Sequence, residues 1–181
     1  MLISNRSLLR ITYLICLLFA ASPLIACEDE SYRQFDFWLG TWDVKYTNSK
    51  DDKIIGTNRI SQQLNNCIIH EHYQATSGFE GKSLNIYDKT TNRWHQTWTD
   101  NTGLLLQLDG SLVKSAENGD EMVLWGEGLD QSGRHIQHRI IWRQLNKDSV
   151  QQRWQVSHDQ GLNWQMLFDG TYYRQPSTQT N

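Results

Sequence analysis

The chain has 181 residues, with 17 basic and 20 acidic side chains, a formal charge of −3, only 2 prolines, and 38% hydrophobic residues that include 8 Trp, 7 Tyr and 5 Phe. Such a length and composition give one domain with enough apolar surface for a core, and they exclude a disordered or collagen-like chain. Net acidity makes the chain a poor candidate for nucleic-acid binding, and no nucleic-acid partner is assigned.

Residues 1–26 read as a secretory signal peptide. Arg6 and Arg10 form a basic start, Ile11 to Leu18 and beyond is an apolar run, and Ala26 closes it. The run is too short for a spanning helix and is broken by Ser22-Pro23, and no later segment is apolar for long enough to span. The expected destination is the periplasm or an attachment to the envelope. Leu24-Ile25-Ala26-Cys27 also fits a bacterial lipobox, in which Cys27 is lipidated and anchors the protein. Cys16 leaves with the signal, so Cys27 and Cys67 remain and can form one disulfide in an oxidising compartment. One sulfur cannot serve both purposes; lipidation and the bridge are therefore alternatives.

After the signal, Tyr32–Leu39 lacks alternation and is expected to form one or two helical turns that close one end of a sheet. Ten strands follow: Thr41–Tyr46, Ile54–Leu64, Cys67–Thr76, Lys82–Asp88, Arg93–Thr99, Leu104–Val113, Met122–Gly128, His135–Leu145, Ser149–Ser157 and Asn163–Arg174. Turn-forming residues separate them, as in Asp88-Lys-Thr-Thr-Asn92, Glu117-Asn-Gly119, Asp130-Gln-Ser-Gly133 and Asn146-Lys-Asp148. Links this short demand antiparallel neighbours, and a meander of ten strands closes on itself to remove its edges. The fold class is all-β, an up-and-down antiparallel barrel with a short N-terminal helical turn. Residues from Gln175 to Asn181 read as a flexible polar tail.

Period-two alternation assigns the faces. The inward sets are Trp42, Val44 and Tyr46; Ile69, Glu71 and Tyr73; Trp94, Gln96 and Trp98; Ile136, His138, Ile140 and Trp142; Val150, Gln152, Trp154 and Val156; and Trp164, Met166 and Phe168. Arg93, His95 and Arg139 fall on outward faces. Glu71, Gln96, His138 and Gln152 are polar residues on inner faces. Each would cost a few kcal/mol to bury unpaired, so together they point to a cavity rather than a filled core. The candidate ligand-binding residues are Glu71, Gln96, Trp98, His138, Gln152 and Trp154.

Other motifs carry less chemistry. His70 and His72 flank Glu71 and point outward, and no metal site is assigned to them. Ser157-x-Asp159-x-Gly161-x-x-Trp164 matches an Asp-box, a turn in which the Asp caps backbone amides. There is no Gly-x-Ser-x-Gly, P-loop, dinucleotide fingerprint or CxxC pair. No cofactor and no catalytic residue are assigned, and whether the protein is an enzyme is left open.

Gly40-Thr41-Trp42, after a helical turn, resembles the opening of a lipocalin-type or calycin barrel, where the Trp plugs the closed end and an arginine of the last strand lies across it. Arg174 stands at that place. More specifically, Phe35-Asp-Phe-Trp-Leu-Gly-Thr-Trp-Asp-Val44, Trp94-His-Gln-Thr-Trp-Thr-Asp100, the Asp-box and Phe168-Asp-Gly-Thr-Tyr172 resemble a bacterial calycin-like family of unknown function that opens with Phe-Asp-Phe-Trp-x-Gly-x-Trp. The likeness covers most of residues 32–174. It implies that residues 27–174 are a single barrel of the broad nitrobindin and lipocalin type, and it carries over no functional residue. Nitrobindins bind haem, but the glycine-rich opening that follows their Trp is replaced here by Asp43-Val-Lys-Tyr46.

Three functions fit these residues. The first is an exported barrel holding a small, partly apolar ligand. The second is an enzyme using Glu71 and His138 as an acid–base pair in the same cavity. The third is a structural envelope protein with a filled barrel.

Overall fold

The computed structural model describes residues 27–114, 119–130 and 132–176. The predicted signal peptide, residues 1–26, and the predicted tail beyond Pro176 lie outside the described residues. Ten strands form one closed antiparallel barrel: β1 (Gly40–Tyr46), β2 (Gly56–Gln63), β3 (Ile68–Ala75), β4 (Glu80–Asp88), β5 (Arg93–Asp100), β6 (Leu105–Val113), β7 (Glu121–Leu129), β8 (His135–Asn146), β9 (Ser149–Ser157) and β10 (Gln165–Arg174). Each strand pairs with its neighbours in sequence, and β1 pairs with β10 to close the ring. Closure leaves none of the ten strands at an edge. None of the described helices is long and apolar enough to cross a membrane.

The helical segment predicted at Tyr32–Leu39 consists of two 3-10 turns, Glu30–Arg33 and Asp36–Trp38. They plug the end of the barrel where β1 begins. Phe35 stacks on Trp38 with ring centroids 4.9 Å apart and meets Trp94 and Trp142 edge-on at 5.6 and 5.1 Å. Trp42 Nε1 donates to the Trp38 carbonyl at 2.9 Å. The Arg174 guanidinium lies 4.1 Å from the Trp42 ring and donates to the Leu39 carbonyl at 2.8 Å. Gly40, at φ +137°, leaves room for that guanidinium, because a Cβ there would stand 2.3 Å from an Arg174 nitrogen.

Cys27 and Cys67 are joined by a disulfide, with Cα atoms 5.1 Å apart. The bridge ties the start of the plug to the β2–β3 turn. Arg33 adds a hydrogen bond to the Asn66 carbonyl at 2.7 Å, and Gln62 Nε2 donates to Asp36 at 3.2 Å. The Cys27 sulfur is thus committed to Cys67, and the lipobox alternative is set aside, since a thioether would need the same atom.

One face assignment is corrected. Trp164, Met166 and Phe168 do not share the inner face. The β9–β10 register shifts between Met166 and Phe168, where Leu167 is the extra residue of a bulge. Phe168 lies opposite inward Trp154, whereas Met166 lies opposite outward Gln155 and is 46% exposed. Trp164 precedes the strand, and its ring packs beneath the Arg139 guanidinium at 4.1 Å. The Asp-box is a turn: Asp159 accepts from the Asn163 amide, and the Ser157 hydroxyl accepts from the Gly161 amide, each at 2.8 Å.

Candidate functional site

The end of the barrel opposite the plug holds a cavity of about 290 Å³. That is room for on the order of ten waters, the lower end of small-molecule sites. Its floor is polar, with Glu71 and Gln96. Its walls are Tyr73, Trp98, Leu106, Ile140, Gln152, Trp154 and Tyr172, and its rim is Tyr46, Ala75, Ser77, Phe79, Leu167 and Phe168. Two glycines make space for the rings. A Cβ on Gly81 would stand 2.1 Å from Trp98, and one on Gly170 would stand 2.3 Å from Phe168. A second hollow, at the outer ends of β7–β9, is lined mostly by exposed side chains such as Glu127, His135 and His158.

Glu71 organises the floor. It is 2% exposed, and each of its oxygens accepts one hydrogen bond: Oε1 from Asn58 Nδ2 at 2.7 Å and Oε2 from the Ser83 hydroxyl at 2.6 Å. The donors extend backwards as a chain. Gln96 Nε2 donates to Asn85 Oδ1 at 2.8 Å, Asn85 Nδ2 donates to Ser83 Oγ at 2.9 Å, and Ser83 donates to Glu71. Every link has its hydrogen directed toward the carboxylate, an arrangement that favours the charged form. Burial works against it and is the larger effect, and the carboxyl is pushed up to about 7. Tyr73 and Tyr172 face Glu71. Burial first, and then the neighbouring acidic groups, push Tyr73 up to about 12 and raise Tyr172 well above the usual phenol range. Tyr172 donates to Gln152 Oε1. Asn58 Oδ1 is buried with no donor among the described residues.

Of the six predicted residues, Glu71, Gln96, Trp98, Gln152 and Trp154 line the cavity. His138 does not. It is buried on the inner face as expected, but its Nδ1 accepts the Trp154 indole N–H at 3.1 Å, and its Nε2 side packs toward Gly128. Trp154 takes the cavity wall. Burial lowers the His138 pKa, favouring the neutral ring. Among the described residues no hydrogen bond joins Glu71 to His138, so the acid–base pair is not assembled. Arg93, His95 and Arg139 point outward, and His95 bonds Asp109 at 2.9 Å.

Sequence reasoning missed Asn58, Ser83 and Asn85, which hold the floor residues Glu71 and Gln96 by hydrogen bonds. In β4 the pattern is inverted: Ser83 and Asn85 face in, while Leu84 faces out at 47% exposure. The usable signal was Lys82, whose charge fixes the outward phase and sends Gly81, Ser83, Asn85 and Tyr87 inward. Aromatic Tyr73 and Tyr172 were visible in sequence as barrel residues but not as walls.

Among the described residues, no group of three or more His, Cys, Asp or Glu is placed to hold a metal ion. Comparison with protein-family models and with curated proteins found no match for this chain.

Proposed function

We propose that the protein is an exported barrel that binds a small, partly apolar molecule in the cavity at its open end. The observation that carries this reading is the aromatic-walled cavity over a polar floor in which a buried carboxylate is held by hydrogen bonds. Apolar walls supply contact area, and the few fixed polar groups orient a ligand. The cavity weighs against a filled structural barrel, and the separation of Glu71 from His138 weighs against acid–base catalysis by that pair. The disulfide supports an oxidising destination such as the periplasm. It occupies the sulfur that envelope attachment through Cys27 would need, so the proposed form is unanchored.

Native mass spectrometry of the protein purified from its own host tests the reading. The expected result is a co-purified small molecule that is lost in Trp98→Ala and Gln96→Leu and kept in His95→Ala, whose side chain is outside the barrel. Equal loss in all three variants, or no bound molecule and no response to a fragment set, overturns it.

A further inference from the structure

We infer that the cavity selects small organic cations, an ammonium carried on an apolar or aromatic body, with the Glu71 carboxylate as the counter-charge and aromatic faces around it. This rests on the binding-barrel reading and names its ligand class.

Three observations lead there. First, among the described residues lining the cavity Glu71 is the one carboxyl, and none is a Lys, Arg or His. A buried carboxylate without a cationic partner is an incomplete pair, and a ligand cation completes it. Second, both hydrogen bonds on Glu71 arrive from donors, one from Asn58 and one from Ser83 at the end of the one-directional chain from Gln96 and Asn85. A site meant for a neutral acid would instead place an acceptor against it. Each Glu71 oxygen accepts one hydrogen bond, so acceptor capacity remains on the carboxylate that lines the cavity, which suits the several N–H donors of an ammonium. Third, Tyr73, Phe79, Trp98, Trp154 and Phe168 line the same cavity as the carboxylate. Aromatic faces attract cations, most of all when water is displaced.

The same arrangement opposes the alternatives. An anion would meet the Glu71 charge without a compensating cation. A neutral alcohol would gain the aromatic contacts but leave the carboxylate uncompensated. At pH 8 Glu71 is mostly ionised, given its value of about 7. The titratable groups that face it, Tyr73 and Tyr172, remain neutral there, and Asn58, Ser83 and Gln96 from the adjoining strands carry no charge.

Calorimetric titration at pH 8 with three molecules of one shape tests the inference: phenethylamine, phenethyl alcohol and phenylacetate. The amine is expected to bind at least tenfold more tightly than the alcohol, with phenylacetate weakest. Glu71→Gln is expected to weaken the amine at least tenfold and to leave the alcohol within about twofold. Lowering the pH from 8 to 6 is expected to weaken the amine on the unaltered protein but not on the Gln variant. If the alcohol or the acid binds as tightly as the amine, the cation is overturned while the binding barrel stands. If none of the three saturates at millimolar concentration, the cation is overturned, and the binding barrel falls with it only if native mass spectrometry also finds no bound molecule and a fragment set gives no response. The ranking on the unaltered protein decides the matter even if the variant fails to fold.

Discussion

Burial drives the Glu71 carboxyl toward its proton, while Asn58 and Ser83 hold it toward the charge. Desolvation wins, and the folded-state value rises from 4.5 to about 7. Between those two values the folded protein holds a proton that the unfolded chain has lost. Stability from this group is therefore fully present below about pH 4.5 and declines as the pH rises through about 7. The span corresponds to about 3 kcal/mol. Gln keeps the shape and cannot ionise. Urea unfolding of the unaltered protein and of Glu71→Gln, measured from pH 4 to pH 9, should therefore show the variant gaining on its parent by about 3 kcal/mol across that range. Parallel pH curves would mean that Glu71 is charged or neutral throughout. A cationic ligand would reverse the trend for the parent alone, because it binds the form that alkaline pH supplies.

Among the elements, the plug is the most heavily tied. The disulfide encloses a separation of 40 residues, for which chain-entropy reasoning gives about 4 kcal/mol. Cys27→Ser/Cys67→Ser should accordingly lower unfolding stability by up to about 4 kcal/mol. It should leave phenethylamine affinity within about twofold, because the bridge lies at the end of the barrel opposite the cavity. A large loss of affinity would mean that the two ends are coupled. The strands themselves were legible from sequence to within a few residues, since turn chemistry such as Asp88-Lys-Thr-Thr-Asn92 punctuates them and charges such as Lys82 mark their outer phase. The site was less legible, for identifiable reasons. Leu84 and Ile86 advertise an apolar face on β4 that in fact looks outward, so hydrophobic patterning gives the wrong sign where the floor is built. On β10 the extra residue Leu167 reverses the phase that Trp164 and Met166 would otherwise share with Phe168. His138 shows a third limit: period two gives a side chain's face but not its depth, and Trp154 stands between it and the cavity.

At the scale of the whole molecule, the barrel has two unlike poles. One is filled by Phe35, Trp38, Trp42, Trp94 and Trp142 and stapled by Cys27–Cys67. The other is open and ringed by Tyr46, Phe79 and Phe168. The polar floor lies between them, with the buried aromatic pole on one side of the carboxylate and the ring of aromatics at the open end. Such polarity separates the residues that secure the fold from those that would choose a ligand. It also explains why the opening motif around Gly40-Thr41-Trp42 speaks of architecture and not of chemistry.

The β1–β10 seam has a further meaning. It is held by the same ladder as every other pair, with Trp42 opposite Arg174 and Tyr46 opposite Gly170. In cyclic order the strands form a wheel in which any hairpin could serve as the break. Joining Pro176 to Cys27 through a short Gly/Ser linker, and cutting between exposed Thr90 and Thr91, moves the beginning of the chain without removing a ladder or the disulfide. This permutant should unfold cooperatively and rank the three phenethyl molecules as its parent does. An insoluble or non-cooperative product would show that the order in which the hairpins emerge, and not the ring they complete, decides whether the barrel forms.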